Sequence, residues 1–296
     1  MSVFANVYYI KDTNPNNIYE MYELLHRKFK SPAIKVHTGE RGNKNFLTPD
    51  YLEAFISKID NPTIVECNTA YKGSRYTTED HEKLLKDHGW DRWPCDIMDS
   101  GGILDLKIDK GKILKRNIVG KTLSNYKTCI VISHVKGHPM GGFGGALKQL
   151  SIGFASSKGK VLIHGHGNYE IGEESLSNVK SDNQDAFIDS MADAALSIVD
   201  YFGFGNIAYI NILKNLSVSC DCDANAPRPC MQDLGILASL DSVAIDQASL
   251  DLIEQAKDKG KNKILNRIKE KHGDRILESA ERLGIGQRDY KLITVE

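Results

Sequence analysis

No charge sign dominates this chain: 38 lysines and arginines stand against 39 aspartates and glutamates in 296 residues, for a net charge of -1. That balance leaves no basic footprint for nucleic acid or for an anionic membrane surface, so a small molecule is the expected partner. Long apolar runs are also lacking. Nothing approaches the roughly 18 residues that a bilayer-spanning helix needs, and no basic stretch precedes the apolar residues of Met1-Ser-Val-Phe-Ala-Asn-Val-Tyr-Tyr-Ile10. The reading is a cytoplasmic protein that opens on a strand. Complete nucleotide fingerprints are absent as well. Gly142-Phe-Gly144 has Leu147, and Gly165-His-Gly167 has Glu170, where a dinucleotide motif needs its third glycine, and no Gly-Lys-Ser/Thr ends either stretch. Cysteine is too dispersed for a secreted framework. The six residues (Cys67, Cys95, Cys129, Cys220, Cys222 and Cys230) favour reduced thiols or metal ligands over disulfides.

What the chain does contain is alternation of strand and helix patterns, without repeats or low-complexity segments. Strands are expected at Ala33 to His37, Thr63 to Cys67, Cys129 to Ser133, Val161 to Ile163, Ala208 to Leu213 and Ile236 to Ala238. Helices are expected from Asn14-Pro15 to about Lys30, after Thr48-Pro49, and from Thr77 to a closing Gly89. A capping box, Ser181-Asp-Asn-Gln184, opens a helix whose stripe of Phe187, Met191, Ala194, Ile198 and Phe202 belongs to a core. Val243 to Glu254 is amphipathic, and the charged stretch from Lys257 to Arg282 reads as a helix with a solvated face. Gly101-Gly102 interrupts the pattern, and Ile103 to Asp109 with Lys112 to Val119 forms a hairpin turning at Lys110-Gly111. The implied fold class is α/β, with mixed, mostly parallel sheets and helices on both faces. It divides into two lobes, 1–120 and 121–296, or runs as one continuous domain, and an oligomer is compatible with either.

Four of the nine histidines fall within 33 residues, as His134-Val-Lys-Gly-His138 and His164-Gly-His166, with Gly141-Gly-Phe-Gly-Gly145 and Lys148 between them. Both clusters follow apolar β-branched runs, so the imidazoles are expected at strand ends, where open α/β sheets place their ligands. His134, His138 and Lys148 are the candidates for a catalytic centre. Gly141, Gly142, Gly144 and Gly145, with Lys136, are the candidate cofactor contacts, because backbone without side chains approaches a ligand closely and offers its amides to an anion. The alternative is a plain surface loop.

Cys220-Asp-Cys222 is a second constellation. Residues two apart in extended chain point the same way, so both thiols face one soft metal, with Cys230 returning through Pro227-Arg-Pro229 as a third donor. The competing reading is ordinary, partly buried cysteine.

Ile132-Ser-His-Val-Lys-Gly-His138, the glycine turn through Lys148, Cys220-Asp-Cys222 and Asp233-Leu-Gly-Ile-Leu-Ala-Ser239 together resemble a widespread family of domains of unknown function described as uncharacterised iron-sulfur centre proteins. Asn68-Thr-Ala-Tyr-Lys-Gly-Ser-Arg75 and Asp80-His81 fit the same pattern. Many relatives carry a ferredoxin cassette of repeated C-x2-C, whereas Gly165 to Asp182 here holds no cysteine. An iron-sulfur cluster would therefore rest on Cys220, Cys222 and Cys230. The segment 137–164 also resembles lactate racemase. That likeness implies an acid/base role for His138, a lysine tether for a nickel-pincer nucleotide at Lys148, metal ligation by His164 with His166 beside it, and a substrate carboxylate at Arg75. Two functions follow as alternatives. One is a metal-dependent isomerase or oxidoreductase acting on a small anionic molecule, with iron, zinc or nickel. The other is a non-catalytic metal or iron-sulfur carrier of anaerobic redox metabolism.

Overall fold

Twelve strands and nine helices are present among the residues that the computed structural model describes, 4–168 and 183–296. In chain order they begin β1 (Ala5–Ile10), α1 (Asn16–Glu23), β2 (Ala33–Lys35), α2 (Pro49–Ile56), β3 (Thr63–Glu66), α3 (Thr78–His88) and β4 (Cys95–Ile97). A hairpin, β5 (Ile103–Lys107) with β6 (Arg116–Gly120), leads to β7 (Cys129–His134) and a second hairpin, β8 (Lys136–His138) with β9 (Gly142–Gly144). Then come α4 (Ala146–Lys148), α5 (Ser157–His164), α6 (Gln184–Phe202), β10 (Ile207–Leu213), β11 (Gly235–Ser239), α7 (Ser242–Gln255), α8 (Lys261–Glu270), α9 (Arg275–Arg282) and β12 (Tyr290–Thr294).

Eight of the strands form one sheet in the order β12-β1-β11-β10-β7-β2-β3-β4. Only β11 runs antiparallel to its neighbours, so the sheet is mixed and mostly parallel, as the alternating pattern predicts. Strands from both sides of residue 120 lie side by side in it.

The period-two rule explains how one sheet serves two cores. Cys129 and Val131 of β7 and Tyr209 and Leu213 of β10 pack with α5, α6, α7 and α9 on one face. The intervening Ile130, Ile132, Ile210 and Ile212 pack with α1, α2 and Trp90 on the other.

Several local expectations need correction. Val161 to Ile163 is not a strand but part of α5, whose cap Ser156 accepts the Gly159 N–H. A run of three branched residues carries no length information, and the cap outweighs their β preference. The cap of α6 is Asn183, which accepts from the Ala186 N–H, while Ser181 and Asp182 lie outside the described residues. The first hairpin closes through a longer loop than Lys110-Gly111 alone, because Asp193 of α6 binds the amides of Lys112, Ile113 and Leu114. The charged tail is two helices separated near Gly273, each with a buried apolar face that includes Ile264, Ile268, Ile276 and Leu277, and it ends in β12. α1 stops at Glu23, short of Lys30.

The parallel strands β2, β3, β7 and β10 present their carboxyl ends at one edge, and the loops leaving them build the site. Lys148 sits at the junction of α4 with a π-helical turn over Gln149–Gly153, a distortion that often turns side chains toward a ligand site.

Candidate metal centre

A cavity of about 280 Å³ opens at that edge. From the ends of β2 and β3 come Lys35, His37, Glu66, Cys67 and Thr69, with Tyr71 and Arg75 from the loop beyond β3. The hairpin and helices on the other side supply His138, Met140, Lys148, Lys160, His164 and Phe187, and the loop after β10 supplies Cys220 and Cys222.

At one end, a ring nitrogen of His138 and the sulfurs of Cys220 and Cys222 all lie within 4.8 Å of one another. The ring is fixed by its own backbone: Nδ1 accepts the amides of Met140 at 3.2 Å and Gly141 at 2.9 Å, which leaves Nε2 for the thiols. Cys220 also receives the Cys222 N–H at 3.3 Å and stands in hydrogen-bonding contact with His37. Burial works against its ionisation, but the Cys222 thiol, the Lys148 ammonium and His138 outweigh it and hold Cys220 well below the usual thiol range. The hydrogen bond to Cys220, reinforced by burial, pushes Cys222 the other way, so the pair shares one proton. Burial, with the Lys148 charge, lowers His138 to about 4.

His164 is set differently. Its Nδ1 donates to the Lys160 carbonyl at 2.7 Å and its ring stacks on Phe187 at 4.6 Å, so Nε2 keeps its lone pair. Burial, against that hydrogen bond, takes its pKa to about 4.

The back wall is an ion-pair network. Lys35 reaches Glu66 at 2.6 Å, and Arg75 reaches Glu40 at 3.3 Å, Glu66 at 3.7 Å and the Tyr71 hydroxyl at 2.9 Å. Burial opposes the Glu66 charge, and Lys35, His37 and Arg75 overcome it, holding its carboxyl far below the usual range. Lys160, 8% exposed, donates among the described residues only to the Ala155 carbonyl, and burial lowers its pKa.

Of the residues singled out in the sequence, His138, Lys148, His164, Arg75, Cys220 and Cys222 share this cavity. The others do not line it. His134 is used on both nitrogens, by Asp221 at 2.9 Å and by the Lys214 carbonyl at 2.6 Å, so neither lone pair is open to a metal. Lys136 is ion-paired with Asp221 at 2.7 Å. His166 follows the end of α5 in a left-handed conformation, φ 51°. Cys230 turns its sulfur to the Leu216 carbonyl. The glycines pack rather than cradle: a Cβ on Gly145 would lie 2.3 Å from Asp246 Oδ1, and one on Gly142 2.9 Å from the Gly273 Cα. Asp246 in turn accepts the amides of Ala146 and Leu147 and so anchors the turn that carries Lys148.

Sequence reasoning missed Lys35, His37, Glu66, Cys67, Thr69, Tyr71 and Lys160. The strand-end rule that located His134 would have found His37 and Cys67, since both close expected strands. Lys160 was hidden because its helix was read as a strand.

The family model for the domain of unknown function DUF362 matches residues 33–251, more than half of the chain. The chain belongs to that family. Two solved structures are similar over most of its length, each at 12% identity. One is a protein from Thermotoga maritima, covering 90% of this chain and 59% of its own, with a TM-score of 0.46. The other is the lactate racemase apoprotein from Thermoanaerobacterium thermosaccharolyticum, covering 97% of this chain and 82% of its own, with a TM-score of 0.43. This chain thus spans less than two thirds of the Thermotoga maritima protein. No curated protein matches it in sequence. Among the described residues no helix is long and apolar enough to cross a membrane.

Proposed function

We propose that this chain is a metal-dependent enzyme acting on a small anionic molecule, with the ion held by Cys220, Cys222 and His138. The observation that carries this reading is the convergence of two thiols and an imidazole within 4.8 Å at one end of a cation-lined cavity. A tetrahedral site with metal–sulfur bonds of about 2.3 Å needs donor separations of roughly 3.5–4 Å, so a small closure completes it. The donor set suits one soft ion, zinc, iron or nickel, better than a cluster that needs four thiolates. Three protein ligands leave a coordination position for substrate, and a bound ion supplies Lewis acidity there.

The remaining steps belong to the protein. Loading would release the proton that Cys222 holds, and His138 would ligate as a neutral ring by moving its Nε2 proton to Nδ1, away from the Met140 and Gly141 amides. Lys148, half-buried and without an ion pair among the described residues, offsets negative charge near Cys220. His164 Nε2 is a proton acceptor facing the same space, fit for isomerase or oxidoreductase chemistry on a substrate C–H or O–H. The volume lies just below the about 300–1,000 Å³ typical of small-molecule pockets, which favours a small metabolite.

Metal analysis and absorption spectroscopy of anaerobically purified protein test this reading. One soft ion per chain, lost in Cys220→Ser and Cys222→Ser, is expected. Metal content unchanged by both substitutions would sink it.

A further inference from the structure

Four cations line the cavity, and they are not equivalent. Lys35 is consumed by Glu66 and the Val36 carbonyl, at 2.6 and 2.7 Å. Arg75 spends its guanidinium on Glu40, Glu66 and Tyr71. The Lys148 charge acts on the Cys220 thiolate. Lys160 is the one of the four that is both buried and without an ion pair among the described residues. Its ammonium has a single carbonyl as partner and no ion pair among the described residues. Asp99, whose charge reaches it, is already engaged by the amides of Asn68 at 2.9 Å and Ser157 at 3.0 Å. A buried ammonium without a carboxylate is costly, and such groups persist where a ligand completes them.

We infer that Lys160, and not Arg75, receives the carboxylate of the substrate, and that the substrate is a small monocarboxylate. The inference rests on the enzymatic reading of the same cavity and deepens it. Lys160 and His164 lie one turn apart on α5, and a helical turn rises about 5.4 Å. A carboxylate held at Lys160 would therefore bring a carbon one or two bonds away toward the His164 ring, a span suited to short acids. Charge matching supports one carboxylate rather than two, because a second would face Glu66.

The test is binding of acetate, glycolate and malonate to the full chain at neutral pH and constant ionic strength, with chloride as reference. It is measured by calorimetry and by thermal shift. Glycolate or acetate should bind the wild type, and malonate more weakly. Lys160→Met should weaken the best monocarboxylate by about tenfold or more, while Lys160→Arg, which keeps the charge, should recover much of the loss. Far-ultraviolet circular dichroism and a retained melting transition confirm folding, and Lys160→Gln serves if the methionine variant does not fold. Equal binding by wild type and Lys160→Met, tightest binding by malonate, or no response beyond chloride would overturn the assignment. Metal content is read on the same samples. A metal-free chain whose glycolate binding still needs Lys160 would refute the metal centre alone, and a metal-loaded chain indifferent to Lys160 would refute this inference alone.

Discussion

The main-chain carbonyl of Lys160 accepts the Nδ1–H of His164 at 2.7 Å, so the two cavity residues of α5 are joined through backbone rather than through their side chains. The imidazole tautomer is thereby set by the helix itself, and substitutions at position 160 leave it intact. The donors of the proposed metal centre lie on other elements. His164→Gln should accordingly keep metal content within about twofold of wild type, whereas Cys220→Ser should lower it by an order of magnitude or more. Inductively coupled plasma mass spectrometry distinguishes the two.

Removing the Lys160 charge should stabilise the unliganded protein. Lys160→Met exchanges a poorly compensated buried ammonium for a hydrophobe of similar length, worth about 1–2 kcal/mol in favour of folding. Its pH signature has a definite sign. A lysine whose folded pKa lies below its unfolded value binds fewer protons when folded, so wild-type stability should rise with pH between the lowered value and about 10.4. Denaturant titrations of both proteins across alkaline pH should converge as pH increases, and a gap that stays constant would contradict the argument.

Asp189 of α6 should govern acid stability. Burial disfavours its charge, but Arg275, Lys112 and Ser279 hydrogen-bond it and bring the carboxyl down to about 2. A depressed carboxyl adds stability above its unfolded pKa and loses it as pH falls through the folded one, so this contribution should fade between about pH 4 and 2. Asp189→Ala should cost about 2–3 kcal/mol at neutral pH, by leaving Arg275 and Lys112 without their shared anion, and should show a shallower acid transition. Chemical denaturation at several pH values measures both.

Gly145→Ala should disturb the turn that carries Lys148. The new methyl would lie 2.3 Å from the Asp246 carboxylate, which cannot move without releasing the Ala146 and Leu147 amides. A loss of about 2 kcal/mol is expected, with protection from hydrogen exchange lost first at Ala146 and Leu147. Unchanged protection there would contradict the anchoring role of Asp246.

The central strands β2, β3, β7, β10 and β11 were legible because they are short apolar runs largely buried on both faces and bounded by turn residues, and α2 and α3 because each carries a clear Thr cap, whereas the edge strands β4 and β12 were not. The failures share a cause. Val161 to Ile163 has no periodicity to separate helix from strand, and that error concealed the one-turn spacing of Lys160 and His164. His134 and Lys136 stood beside His138 in sequence, at the same two-residue spacing, and looked equivalent, yet both are taken by Asp221, a residue 85 or more positions away that no local pattern names. The glycine turn looked like an anion cradle because glycine permits close approach. What approaches is protein: Asp246 on one side and Gly273 on the other. Cys220 and Cys222 could be paired from their closeness in sequence, although they meet through a turn that the Asp223 N–H closes on the Cys220 carbonyl at 3.0 Å, not through extended chain. Cys230 could not, because its direction depends on the Leu216 carbonyl.

The thiol loop is stitched to the segment after β2. Asn43 donates to the carbonyls of Asp223 and Cys220 at 2.8 and 3.3 Å, Asn45 to that of Pro227 at 2.8 Å, and the Glu40 amide to that of Asp221 at 2.9 Å. The aim of the sulfurs is thus inherited from a stretch some 180 residues upstream. A fragment beginning beyond Asn45 would keep every donor atom of the centre in its covalent order, yet lose the brace that points them at one another.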